Sequence, residues 1–217
     1  MLVFWRFCCP CRAAGAGRED MEHRFESSIA LVTGAGSGIG RATALQLARE
    51  GARVALVDND REAGIATLEL LQREGGQGVF LFGDVAQRAD VQGAVNRTVE
   101  LWKRLDILVN NAGTMRFAPV VQLSEDDWDR VLAVNLRSAF LFCKYAVPHM
   151  KRASGRRGGA VVNVSSVHAQ ATTRNVSAYA ASKGGLEAFT RALSLEVETQ
   201  SIRVNAVAAG AVDTPLL

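Results

Sequence analysis

Residues Ile29 to Gly40 constrain this chain more than any other stretch. They read Ile-Ala-Leu-Val-Thr-Gly-Ala-Gly-Ser-Gly-Ile-Gly, an apolar run followed by glycine at every second position. An amphipathic run from Arg41 to Arg49 comes next. The pattern predicts a buried strand, a tight turn and a helix N-terminus. Gly34, Gly38 and Gly40 carry no Cβ, so the backbone can come close to a bulky group there. Unpaired N–H groups at a helix start attract a diphosphate, which places Ser37, Gly38, Ile39 and Gly40 around such a ligand. The spacing is Gly-x-x-x-Gly-x-Gly, not the Gly-x-Gly-x-x-Gly of the best-known dinucleotide fingerprint. A plain strand-to-helix turn reads the same way. Asp58 strengthens the ligand reading. It ends the next apolar run, Arg53 to Val57, about 20 residues past the glycines, where an acid can hydrogen-bond an adenosine ribose.

The rest of the chain repeats the strand-then-helix alternation. Gly51 stops the first helix, as glycine does at C′. Strands are predicted at Val54–Val57, Val79–Phe82, Asp106–Val109, Ala160–Val164 and Ile202–Val207. Helices are predicted at Arg61–Arg73, with an inner stripe of Ala63, Ala66, Leu70 and Leu71, and around Val91 to Trp102. Ser124 with Asp127 resembles a capping box and opens a helical region reaching about Met150, with a break near Asn135. Ser177–Glu198 forms the last helix. Short apolar strands, each separated by a helix, specify a doubly wound parallel sheet in one α/β domain.

Composition bounds the function classes. The 217 residues are 48% hydrophobic and 22% charged, with a net charge of +3. Such a balance gives no reason to invoke nucleic acid. The densest basic run, Lys151 to Arg157, follows a helix, where cations complement the C-terminal dipole. No apolar stretch is read as long enough to span a bilayer. Cys8, Cys9, Cys11 and Cys143 form neither a metal set nor a disulfide framework, so a reducing, cytoplasmic setting is expected and no metal. Cys143 reads as a small core residue. Residues 1–26 differ from the rest. They read as an extension, disordered over 1–20, ahead of a plausible start at Met21. Acylation of Cys8, Cys9 or Cys11 is a further reading that rests on composition alone. The domain is expected to span 27–217.

In a doubly wound sheet, ligands bind beyond the C-terminal ends of the strands. Gly34, Asp58, Asp84, Asn110, Ser166 and the segment after Val207 all fall at those ends. Tyr179 and Lys183 stand at i and i+4 on one helix face. An ammonium near a phenol lowers its pKa from about 10 and yields a proton acceptor near neutral pH. An ordinary surface pair has the same spacing. Ser166 lies before Tyr179, just past the fifth strand, where its hydroxyl could bind a substrate oxygen. Ser165 beside it reads as the bystander.

Together these motifs resemble the short-chain dehydrogenase/reductase family, in its Thr-Gly-x-x-x-Gly-x-Gly and Tyr-x-x-x-Lys form. The resemblance runs from about Ile29 to the end of the sequence. It rests on Thr33-Gly34, Gly38 to Gly40, Asp84-Val85, Asn110 to Gly113, Asn135, Ser166, Tyr179, Lys183 and Asn205. It implies that Tyr179 is the general acid/base and that Ser166 polarises the carbonyl. Lys183 would hold the nicotinamide ribose and lower the tyrosine pKa, with Asn135 supporting a water-mediated proton path to it. Asp84 and Val85 would flank the adenine. Asn110, Asn111, Ala112 and Gly113 would line the cofactor cleft, and Gly210, Val212 and Thr214 would meet the nicotinamide end. The family usually has proline where Ala209 stands. Its members continue past position 217 with a substrate-covering segment, a helix and a seventh strand. The implied activity is hydride transfer between a nicotinamide cofactor and a secondary alcohol or ketone. The sequence resembles sugar dehydrogenases and 3-oxoacyl-carrier-protein reductases equally. Asp58 favours NAD over NADP, because it accepts from a ribose diol and repels a 2′-phosphate. Arg116, His168 and Gln170 are expected at the pocket rim. A homo-oligomer through the helices around Asn135–Met150 and Ser177–Glu198 is implied, with no nucleic-acid or membrane partner. The alternative is a shortened paralogue that holds NAD(H) and turns over little.

Overall fold

The computed structural model describes residues 24–150 and 158–214. The expectations for residues 1–20, for Cys8, Cys9 and Cys11, and for the basic run 151–157 lie outside them. Arg24 and Phe25, placed in the extension from sequence, contact the domain. Arg24 pairs with buried Glu50 through two nitrogens, at 2.8 and 2.6 Å, and Phe25 packs on the core.

Six parallel strands form one sheet: β1 (Ile29–Thr33), β2 (Arg53–Asp58), β3 (Gln77–Phe82), β4 (Ile107–Asn110), β5 (Ala160–Ser166) and β6 (Arg203–Ala209). Their order is β3-β2-β1-β4-β5-β6. The chain thus leaves β1 in one direction and returns on its other side at β4, making the β1/β4 boundary the switch point. The helices are α1 (Gly38–Arg49), α2 (Arg61–Arg73), α3 (Arg88–Trp102), α4 (Glu125–Leu132), α5 (Ser138–Ala146) and α6 (Ser177–Glu196). Strand alternation sorts the core into two layers. On β1, Ile29 and Leu31 face the layer that also holds α3 and α5 residues such as Val91, Val95 and Phe142. Ala30 and Val32 face the α1 layer with Ala44, Leu45 and Ala48. Cys143 is core, as expected, and burial pushes its thiol up to about 12.

The capping box opens α4 as read: Ser124 Oγ accepts from Asp127 N at 3.1 Å. A π turn over Ala133–Arg137 joins α4 to α5 at the expected break. The joined helix Glu125–His149 corrects one reading. Its mean hydropathy of 1.2 makes it long and apolar enough to cross a bilayer by length and composition, but half of that window is buried inside the domain.

The α2 stripe is also corrected. Gly64, Thr67 and Leu71 face inward and Ala66 faces out. The cause is Gly64, whose missing Cβ would stand 2.0 Å from Phe80 Cε2 of β3, so the helix lies flat on the ring. A second close approach is stricter because backbone meets backbone. A Cβ on Gly40 would stand 2.0 Å from the Gly34 carbonyl oxygen. Gly40→Ala is therefore expected to lower unfolding free energy by about 3 kcal/mol, the upper range for overpacking. Gly93→Ala, where a Cβ meets open space on α3, should raise it by up to about 1 kcal/mol. Urea midpoints of the two variants check this; a Gly40→Ala midpoint equal to the wild type would refute it.

Candidate active site

The site grows from the C-terminal ends of β1, β2, β4 and β5. Gly34 and Gly38 take φ of 63° and 49°, a region that favours glycine. Thr33 Oγ1 accepts from Asn111 N at 2.9 Å and Ala112 N at 3.0 Å. The Asn111 amide in turn donates to the carbonyls of Thr33, at 3.0 Å, and Gly34, at 3.2 Å. This clamp closes the β1/β4 switch point and sets the floor of a cleft. Asn110, expected in the cleft wall, turns inward instead, and its amide donates to Asn163 Oδ1 at 2.8 Å.

A cavity of about 400 Å³ runs over the clamp, lined by Gly34, Ser37, Gly38, Ile39, Asp58, Asp84, Val85, Asn111, Ala112, Gly113 and Thr214. Gly40 lies beneath it in the turn. Asp58 holds the turn as well as the rim: Oδ2 accepts from Gly36 N at 2.7 Å and Oδ1 from Asp60 N at 2.9 Å. Burial raises the Asp84 carboxyl, but Arg130 at 2.8 Å and the Ala86 amide outweigh it and hold the group below the usual carboxylate range. Asp60 and Ser124 close the first turns of α2 and α4 with side-chain bonds, whereas the starts of α1, α3 and α6 have none. Of these, the α1 start lies at the cleft, with Ser37, Gly38 and Ile39 in its lining. The α1 dipole and its first N–H groups therefore face the cleft, where a phosphate fits.

A second cavity of about 210 Å³ adjoins the first and shares Ile39, Asn111, Gly113 and Thr214 with it. Ser166, Tyr179, Lys183, Gly210 and Val212 line it. Ser166 ends β5, while Tyr179 and Lys183 occupy consecutive turns of α6. Lys183 Nζ donates to Val164 O at 2.7 Å and lies 5.6 Å from the Tyr179 ring centroid. Ser165, which also lines this cavity, directs its hydroxyl at Glu187 Oε1 at 3.1 Å. Asn135 lines neither cavity. It stands behind Gly113, where Oδ1 accepts from Thr114 N at 2.8 Å and the amide donates to Thr114 O and Ser182 Oγ, both at 2.9 Å.

Three expectations change. Arg116 leaves the rim for Asp127 at 2.9 Å, and Gln170 turns to Glu187 at 3.4 Å; each met a carboxylate that spacing alone did not reveal. His168 does reach the cavity. The third is electrostatic. Burial raises the Tyr179 phenol, Ser166 is the group that pulls it down, and burial lowers the Lys183 ammonium to about 8. Burial, not the neighbouring lysine, sets the direction of the tyrosine shift. Sequence reading missed Ser182, Thr114, Met115 and Arg130. Of these, only Ser182 carried a signal, its place between Tyr179 and Lys183.

A nucleotide-shaped cleft at a sheet switch point, with Ser, Tyr and Lys at one end, defines a dinucleotide-dependent oxidoreductase class. Residues 28–217 match the family model of the short chain dehydrogenases, and the chain belongs to that family. It is 44% identical over 186 residues to an uncharacterized oxidoreductase of Thermotoga maritima, covering 86% of this chain and 72% of the relative. It is 39% identical to a 3beta-hydroxysteroid dehydrogenase of Mediterraneibacter gnavus (89% and 69% covered) and 38% identical to a cyclopentanol dehydrogenase of Comamonas (89% and 76%). A dehydrogenase/reductase from Sinorhizobium meliloti 1021 superposes with a TM-score of 0.84 at 34% identity, covering 88% of this chain and 75% of its own. As a member of this family, the chain is an oxidoreductase that uses a nicotinamide cofactor on small molecules with CH–OH groups.

The buried lysine makes stability depend on pH. Its folded pKa, about 8, lies below the unfolded 10.5, so the unfolded chain binds more protons between them. The penalty is complete below pH 8 and relieved as pH rises. Tyr179 is shifted upward and opposes this only above its ordinary value of 10. Between pH 8 and 10 the wild type should therefore gain stability relative to Lys183→Met. Urea midpoints across that window would show it, and a constant difference would count against it.

Proposed function

We propose that this protein transfers hydride between NAD(H) and a secondary alcohol or ketone. The observation that carries the reading is convergence: Ser166, Tyr179 and Lys183 meet at one end of a cleft whose other end is Asp58. The residues fit a dinucleotide. The uncapped α1 start takes the diphosphate, Asp58 a ribose diol, and Asp84 with Val85 the base. Gly113, Lys183, Gly210, Val212 and Thr214 would hold the nicotinamide half. Nicotinamide, when bound, would supply the hydride chemistry and, in its oxidised form, a positive charge.

The chain's own groups handle the proton and the substrate oxygen. Ser166 Oγ accepts from His168 N at 3.2 Å, and its own hydrogen can turn from the Tyr179 oxygen to a carbonyl oxygen. Tyr179, with its pKa raised by burial, is protonated at neutral pH and can donate to that oxygen. In the oxidising direction the same phenol takes the proton back. Asn135 acts from behind as a positioning residue. Both of its amide hydrogens are committed, so it holds Thr114 and Ser182 in place rather than touching Lys183. The sugar-dehydrogenase and 3-oxoacyl-reductase resemblances support a secondary carbinol as the reacting group, as do the names of the hydroxysteroid and cyclopentanol relatives. A chain that only held NAD(H) would leave Ser166 without a task.

Two measurements test this. Tyr179→Phe should lose at least about 100-fold in turnover of a secondary alcohol and keep NADH fluorescence binding, since general acid–base help is worth that much. Near-normal turnover would exclude the role. For the cofactor, the wild type should bind NADH more tightly than NADPH, and Asp58→Ala should erase the difference by weakening NADH and admitting the 2′-phosphate. A wild type that prefers NADPH would sink the assignment.

A further inference from the structure

We propose that His168 Nε2 accepts a hydrogen bond from a second substrate hydroxyl, on the carbon next to the reacting carbinol, and so selects vicinal diols. The inference rests on the reading that Ser166 and Tyr179 hold the reacting oxygen. His168 lines the same cavity. Its ring stands edge-on to Tyr179, with centroids 5.7 Å apart and planes at 77°. The main-chain bond to Ser166 fixes its position relative to that hydroxyl.

The ring's outer bond sets its tautomer. Nδ1 lies 3.1 Å from Thr172 Oγ1, and that hydroxyl gives its own hydrogen to the Thr173 carbonyl at 3.4 Å. The threonine oxygen therefore accepts, and Nδ1 carries the proton. In a neutral imidazole so arranged, Nε2 bears a lone pair. Among the described residues no protein group donates to it. Nδ1 is engaged with Thr172, which lies outside the cavity lining, and this leaves Nε2 as the ring nitrogen open to a polar group in the cavity that His168 lines.

An acceptor asks for a donor. A hydroxyl beside the carbinol supplies one, as in a sugar or other polyol. The carbon chain flanking the ketone of a 3-oxoacyl thioester offers only acceptors and C–H groups. The two family resemblances are thereby separated in favour of the polyhydroxy class. A site built to bond a hydroxyl discriminates against the analogue that lacks it.

The test compares kcat/KM for cis- and trans-cyclopentane-1,2-diol with that for cyclopentanol, using NAD⁺. The wild type should favour one diol by about tenfold or more, the worth of one buried hydrogen bond. His168→Phe should bring the ratio toward one. Thr172→Val, at an exposed position, should lower it by freeing the tautomer, and it decides the matter if the phenylalanine variant does not fold. The ratio is the readout, so a loss of rate common to all three compounds does not imitate the effect. A wild-type ratio near one, or a ratio unchanged in the folded variants, overturns the proposal. Turnover of neither diol, with other secondary alcohols oxidised, overturns the diol assignment and leaves the underlying reading intact. No turnover of any secondary alcohol by a protein that binds NADH overturns that reading too.

Discussion

The close approach of Gly40 to the Gly34 carbonyl is the constraint on which the rest depends. With no room for a Cβ between them, α1 begins directly over the end of β1. The Asn111 amide bonds the same carbonyl from β4, so one oxygen ties the turn, the helix and the far side of the switch point together. Thr33 completes the tie through two main-chain amides of the following loop. Ser37, at the N-cap of α1, makes no side-chain cap bond, and the helix end stays open to the cleft. The anion-binding geometry is a by-product of how tightly the backbone crosses itself.

Much of this was legible because it is local. Glycine positions, the run ends of β1 and β2, and the Ser124 cap all follow from chemistry within a few residues. So does the i, i+4 pairing of Tyr179 and Lys183. What was not legible depends on partners distant in sequence. Strand β6 runs to Ala209, two residues beyond its expected end, because Ser165 and Ser166 of β5 pair with Ala208 and Ala209. The stripe of α2 was set by Phe80, a ring on the neighbouring strand. Arg116 and Gln170 found carboxylates on other elements. The pKa direction of Tyr179 was misread for a related reason. Spacing reports that two groups are near each other, but burial acts on each separately and is the largest cause for both.

The two faces of the sheet solve different problems. Under α1 and α2 the packing on the sheet is apolar, with Ala30, Val32, Leu45, Leu56 and Leu71 in one cluster, and a polar bond from Arg41 to Thr67 joins the two helices. Apolar burial drives association but has no direction, so it fixes the layer more firmly than the axial position of a helix within it. That suffices for α1, whose start is pinned by the glycine turn.

α6 has no such turn and carries the residues whose placement matters most. Directional bonds supply the register. Asn110 donates to Asn163, and Asn163 donates to Thr190 of α6 at 2.8 Å. Ser165 reaches Glu187, Lys183 reaches Val164 O, and Asn135 reaches Ser182. Each bond has a modest net worth of about 1 kcal/mol, but each buried group costs more than that if left unpaired. A slip of α6 by one turn, about 5.4 Å, would break the four that involve this helix at once. The polar network is therefore best understood as a positional device. It holds the Tyr179 hydroxyl near Ser166 at the end of β5, and the same strand supplies the carbonyl that receives the lysine.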